Sequence, residues 1–259
     1  MNAPSGPASP GPSQAGIYDY LLDGDQHSPA DRAAAEQAMA AMPQIRLAAR
    51  ENRAFLQRAV RYAARHGVRQ YLDIGSGFPA TGPVHEVAAE IVADPHVVYV
   101  DFDPAVIAVS RELLRSPRLT AVNHDFRRPA DILGDPAVAA LIDWSEPVAI
   151  SLVAVLHFVP DEADPAGIIA TFRDRLAPGS YLILSHGSAA ARPPDGQDPA
   201  PIWDRTRSPV TGRTRQQIEN LFTGFELVPP GLVTSSEWGT TATAPITRDL
   251  VLAGVGRRP

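Results

Sequence analysis

Two residue types are missing from this chain of 259 residues: it has no cysteine and no lysine. Without cysteine there are no disulfides, thiolate nucleophiles, Cys-ligated zinc or iron–sulfur clusters, so cluster-based radical chemistry is excluded too. Without lysine there is no Walker A phosphate loop, no Schiff-base or pyridoxal chemistry and no Tyr–Lys dehydrogenase pair. Long apolar runs are also absent. None approaches the roughly 20 residues of a membrane span, and the first residues lack a basic stretch followed by an apolar one. A cytoplasmic protein with no membrane partner is expected. The net charge of −6 argues against nucleic acid as a partner. The row Arg46, Arg50, Arg53, Arg58, Arg61 and Arg65 reads as the solvated side of a helix. No set of His, Asp and Glu shows metal-ligand spacing, so no metal is expected.

What is present suits one large α/β domain, with 44% apolar residues to build its core. Residues 1–14, rich in Pro, Gly and Ser, are expected to form a disordered tail. Residues 15–67 read as an N-terminal helical cap. It opens with the aromatic segment Ile17-Tyr18-Asp19-Tyr20-Leu21-Leu22. The run Ser28-Pro29-Ala30-Asp31 then starts a helix with an N-cap and a capping box, and a second helix spans about residues 44–66 before Gly67.

From residue 68 to 259 strands and helices alternate. Strands are expected at Val68–Asp73, Val97–Asp101, Leu119–Asn123, Val148–Val153, Tyr181–Ser185, Phe225–Val228 and Arg248–Gly254. Asp103-Pro104 and Asp164-Pro165 start two of the intervening helices, and Thr214 to Gln217 starts another as a capping box. Such alternation predicts a doubly wound, mostly parallel sheet covered on both faces. The prolines between residues 187 and 210 predict a long loop, with a lid as one reading.

An open parallel sheet binds ligands beyond the carboxyl ends of its strands. Those ends carry Asp73-Ile74-Gly75-Ser76-Gly77, Asp101-Phe102-Asp103 and Asp125-Phe126. Glycines there admit a ligand close to the backbone. An acid ending the second strand is placed for ribose hydroxyls, and one after the third for an adenine amino group. The run Gly75-Ser76-Gly77-Phe78-Pro79-Ala80 also satisfies a dinucleotide pattern. Asp73 separates the two readings. An anion there would repel a pyrophosphate but attract the ammonium and sulfonium of S-adenosyl-L-methionine.

The segments Tyr18-Asp19-Tyr20-Leu21-Leu22, Asn52-Arg53-Ala54-Phe55-Leu56, Gln70 to Pro79, His85-Glu86-Val87-Ala88, Val98 to Asp101, Leu152 to Asp161, Pro178 to Leu182 and Pro230 to Val233 together resemble a bacterial family of class I S-adenosyl methyltransferases. The resemblance implies a seven-stranded Rossmann-like sheet whose last strand runs antiparallel. It also implies that Asp73, Gly75 and Gly77 contact the methionine portion of the cofactor, Asp101 the ribose and Asp125 the adenine, with Phe102 packed on the adenine face; Ser76 and Phe126, in the same loops, are expected among the cofactor-binding residues. The chain departs from the family pattern at Gly16, at Phe102 and over Asp23 to Ser28.

His157 follows the fourth strand, where acceptors sit in this fold. It is a candidate to touch substrate and to act as a base, with a satisfied core residue as the plain alternative. Tyr18, with Tyr20, is a candidate for closing the site over the reacting atoms; ordinary packing is again the alternative. The expected function is direct in-line methyl transfer to a small-molecule acceptor, with a homodimer compatible with the sequence. A non-catalytic S-adenosylmethionine-binding protein and a nicotinamide-dependent oxidoreductase are the alternatives.

Overall fold

The computed structural model describes residues 11–191, 210–240 and 250–259. The elements are α1 (Gln14–Leu21), α2 (Pro29–Ala41), α3 (Ile45–Arg65), β1 (Gln70–Ile74), α4 (Val84–Ala89), β2 (His96–Asp101), α5 (Pro104–Leu113), β3 (Leu119–Asn123), α6 (Pro129–Leu133), α7 (Pro136–Ala139), β4 (Val148–Val153), α8 (Pro165–Arg173), β5 (Tyr181–Gly187), α9 (Arg215–Asn220), β6 (Glu226–Leu227), β7 (Val233–Thr234) and β8 (Val251–Arg257).

The sheet runs β3-β2-β1-β4-β5-β8-β6. β1 to β5 are parallel, and β8 inserts antiparallel between β5 and β6. The expected seven-stranded sheet with an antiparallel last strand is therefore present, with one addition: the two-residue β7 also pairs with β8, making eight strands. The last strand begins three residues later than the sequence suggested, at Val251 rather than Arg248. Most of the tail, residues 1–10, and most of the proline-rich loop lie outside the described residues.

Strand side chains alternate between two cores. Leu72, Ile74, Val98, Val100, Ile150 and Leu152 point to one face, covered by α6 to α9. Tyr71, Val97, Tyr99, Ala149 and Ile183 point to the other, where Phe55, Leu56, Ala59 and Ala63 of α3 meet them. A third, smaller core joins α1, α2 and the start of α3 through Ile17, Leu21, Ala35 and Ala49. α3 thus serves both cap and sheet, and the sequence boundary at residue 67 falls after a helix that the sheet already needs for its own burial.

The arginine row of α3 is a correction to the sequence reading. Arg46 and Arg50 pair with Asp23, Arg61 pairs with Glu90, and Arg58 donates to the carbonyls of Ser235 and Trp238 at 2.6 Å each. These are seams between elements rather than a free solvated face, because the helix is wrapped by the chain on both sides. Among the described residues no helix is long and apolar enough to cross a membrane.

Candidate functional site

Ten of the residues singled out by sequence line one cavity of about 600 Å³ at the carboxyl rim of the sheet: Asp73, Gly75, Ser76, Gly77, Asp101, Phe102, Asp125, Phe126, Tyr18 and His157. The volume lies within the range of small-ligand sites, roughly 300–1,000 Å³.

Strand alternation places Asp73 on the same face as Tyr71, toward α3. Register with β4 sets Ser151 beside it, and the Ser151 hydroxyl donates to Asp73 Oδ1. No cation pairs with this buried carboxylate among the described residues. Burial outweighs the Ser151 hydrogen bond and the more distant Arg53 charge, and pushes Asp73 from an ordinary 3.8 up to about 6. A buried acid left in that state is poised for a positively charged ligand group.

Gly75 and Gly77 follow in the left-handed region, at φ 68° and 65°. Gly75 is needed twice over, since a Cβ there would come within 2.3 Å of a Val155 methyl. Val155 is brought that close by Ala154, a non-glycine residue held at φ 60° by a bond from its amide to the Ser185 hydroxyl, 3.0 Å. The Ser76 hydroxyl is buried without a partner among the described residues.

Asp101 is also buried and raised by that burial. One oxygen accepts from the Gly77 amide and the other from the Asp103 amide, both at 2.9 Å. Its carboxylate therefore fixes the glycine loop as well as facing the cavity; the capping of α5 falls to Asp103, as the sequence suggested. Phe102 is 41% exposed, a flat apolar surface left open beside the two acids. Asp125 is different. Its carboxylate is held by Arg127 through Nε and Nη2 at 2.9 and 2.5 Å, a salt-bridged turn as well as a cavity wall. Burial raises its pKa, the Arg127 bonds and charge more than offset this, and the result is lowered. Phe126 is a core residue at the cavity edge, stacked on Phe172.

On the other side of the cavity, the Tyr18 hydroxyl donates to the Ala49 carbonyl at 3.1 Å and accepts from Asn52 Nδ2 at 2.9 Å. Its proton is committed, and burial raises its pKa further. Tyr20 does not line the cavity; it bonds Glu36 instead. His157 lines the cavity with Nδ1 facing the Gly187 amide, 3.4 Å away. Burial, with His186 and Arg213 nearby, pushes it down to about 3. His186 is wholly buried. Its Nδ1 donates to the Gly187 carbonyl and its Nε2 accepts from Arg213.

Sequence reasoning gave no role to Asn52 or Arg53. Asn52 is 1% exposed, lines the cavity and leaves Oδ1 without a partner among the described residues. The signal was available: one amide on the otherwise apolar stripe of Ala48, Ala49, Phe55 and Leu56. Arg53 donates to the carbonyls of Ala80 and Gly82 at 3.3 and 3.2 Å and so ties α3 to the loop after β1. The unusual segment at residues 23–28 is folded back on buried Asp19, which accepts from the amides of Gln26 and His27. Gly16 sits where a Cβ would strike the Asp31 carboxylate at 2.2 Å.

The sequence matches the S-adenosyl methyltransferase family over residues 8–259. Its fold is similar to that of a protein from Thermobifida fusca assigned to the methyltransferases, at 38% identity, TM-score 0.90 and 96% and 95% coverage of the two chains. A DUF574 family protein from Streptomyces avermitilis is similar at 36% identity, TM-score 0.90 and 96% and 98% coverage. An S-adenosylmethionine-dependent methyltransferase from Mesorhizobium loti shares the fold at 20% identity and TM-score 0.54, over 77% and 96%. No curated protein matches the chain.

Proposed function

We propose the reaction from one premise: this chain belongs to the S-adenosyl methyltransferase family and is an S-adenosylmethionine-dependent methyltransferase. The proposal is direct in-line methyl transfer to a small-molecule acceptor. The cavity fits the cofactor by its own chemistry. Among the described residues, Asp73 is a buried carboxylate without a paired cation, Ser76 a buried hydroxyl without a partner, and Gly75 a backbone that a Cβ would block. On this reading Asp73, Ser76, Gly75 and Gly77 hold the methionine end, Asp101 the ribose, and Phe102, Asp125 and Phe126 the adenine region. When bound, the cofactor supplies a methyl group already activated on sulfur.

The protein's own contribution is then alignment and dryness, together capable of about 7–11 kcal/mol of barrier reduction when geometry is ideal. Asp101 fixes the Gly75–Gly77 loop, and Arg53 pins that loop's continuation to α3. Tyr18, Leu21, Met42 and Ile45 of the cap wall the cavity and keep water out. The observation that carries the reading is the gathering of Asp73, Asp101 and Asp125 with two left-handed glycines around one cavity. The acidic chain and the helical roof favour a small acceptor.

The test is transfer of labelled methyl from S-adenosylmethionine to a broad set of small molecules, with bulk RNA and protein alongside. Label in one or more small molecules is expected. Label only in macromolecules would refute the acceptor class, and none anywhere would favour a non-catalytic binder.

A further inference from the structure

The cavity is charged at one end and uncharged at the other. Over β1 to β3 stand Asp73, Asp101, Asp103 and Asp125. Over β4 and β5 its walls include Phe158, Leu250 and Val251, roofed by Leu21, Met42 and Ile45, with no Asp, Glu or Arg over those two strands among the described residues; Arg53 of α3 lines the cavity too, but turns Nε and Nη2 to the carbonyls of Thr81, Ala80 and Gly82 after β1. The cation behind His186 is out of play. Arg213 is 2% exposed and all five of its N–H groups are used: on the carbonyls of Leu156 and Val159, on His186 Nε2 and twice on Asp161. An ionised ligand group placed in this end would lose its hydration with no opposite charge to replace it.

Tyr18 and Asn52 bring polar atoms from the cap; over β4 the polar side chain is His157, and its hydrogen bonding fixes which way it works. The Gly187 amide points its N–H at Nδ1, so Nδ1 is the bare nitrogen and the ring proton sits on Nε2. Nε2 has no partner among the described residues. The groups packed around the ring, His186, Arg213 and the Gly187 backbone, bring no carboxylate to favour a second proton. The ring is thus a neutral donor with its single lone pair already taken. It can hold an acceptor atom but has no site for a proton abstracted from substrate. Tyr18 offers no substitute, since its own proton is committed to Ala49.

We infer that the chamber over β4 and β5 takes an uncharged, mainly apolar molecule, and that His157 Nε2–H selects it by donating to a hydrogen-bond acceptor such as a carbonyl oxygen or ring nitrogen. His157 is on this account a specificity residue, not a base. The assignment of this molecule as the methyl acceptor rests on the reaction proposed above.

Two measurements on the full chain test it. Nitrogen shifts of ring-labelled histidines should show His157 with a bare Nδ1 and a protonated Nε2, unchanged between pH 8 and pH 5. Binding of three probes of one shape, isoquinoline, naphthalene and 2-naphthoate, should then be compared at pH 7.5 with saturating S-adenosylhomocysteine. Isoquinoline should bind about fivefold to tenfold tighter than naphthalene and 2-naphthoate weakest. His157→Phe should erase the isoquinoline advantage while leaving naphthalene unchanged, and His157→Gln, which keeps an N–H donor, should retain part of it. A protonated Nδ1, a His157 titration above pH 5, a preference for 2-naphthoate, or an isoquinoline advantage that survives His157→Phe would each overturn the inference. S-adenosylhomocysteine binding is read in the same samples. Its failure would sink the cofactor reading, while the tautomer and the ranking of probes without it would still judge the chamber's polarity.

Discussion

The two ends of the cavity are built by opposite means. The β1–β3 end is made from three short stretches of sequence, each a strand end with its acid, and its side chains are held by backbone amides and strand register. The β4–β5 end and its roof are collected from Tyr18, Asn52, His157, Gly187 and Leu250, residues far apart in the chain that meet only through packing. On the reading proposed above, the first end, with its buried charge, suits a cation, and the second suits an uncharged molecule held by shape and the His157 donor. The common reagent is therefore encoded locally, and the particular acceptor by tertiary structure.

The largest break should come where both ends touch, at Gly75. Gly75→Ala puts a Cβ against Val155 in a left-handed backbone. Strain and overpacking together should cost about 2–4 kcal/mol of stability, read as a lowered denaturant midpoint, with cofactor binding lost. A variant of wild-type stability would show that the loop is free to move.

Asp73→Asn separates binding from stability. Ionised Asp73 is an unpaired buried charge whose folded pKa, about 6, lies above its ordinary 3.8. Its ionisation therefore favours the unfolded chain: the contribution of this group to stability is most favourable below pH 4 and declines as pH rises toward 6. Removing the charge should stabilise the ligand-free protein at pH 7 by on the order of 2 kcal/mol and weaken S-adenosylhomocysteine about 30- to 100-fold. Loss of both properties together would instead make Asp73 a purely structural residue.

Asp101→Ala should be intermediate, weakening the same ligand by about 1–3 kcal/mol, because it leaves the Gly77 and Asp103 amides without acceptors as well as any ribose hydroxyl. Calorimetry would reveal unchanged affinity if the ribose were held elsewhere. Asp125→Asn should do least, about 1 kcal/mol or below, since its carboxylate is half-engaged by Arg127 at the surface. An Asp125 effect exceeding that of Asp101 would reverse the ranking of the two acids.

That contrast also explains what could be read in advance. β3 and β4 were legible to the residue, because apolar runs bounded by turn residues leave few alternatives. The capping boxes at Ser28 and Thr214 were equally plain. The Asp101–Gly77 bond, the Ser151–Asp73 pair and the saturation of Arg213 were not, because each depends on which strands lie side by side. The arginines of α3 misled for the same reason: their spacing describes one helix and says nothing of the Asp23, Glu90 and Ser235 segments that come to cover it.

If Asp73 receives the positive end of the cofactor, binding of S-adenosylhomocysteine to the wild-type protein must follow the ionisation of that acid, and titration from pH 8 to pH 5 reads this out. Binding requires the ionised acid, whose ligand-free pKa is about 6. Affinity should stay level down to about pH 6.5 and fall close to tenfold by pH 5, and in Asp73→Asn it should be weak and flat throughout. Wild-type affinity indifferent to pH across that range, and matched by the variant, would contradict the claim.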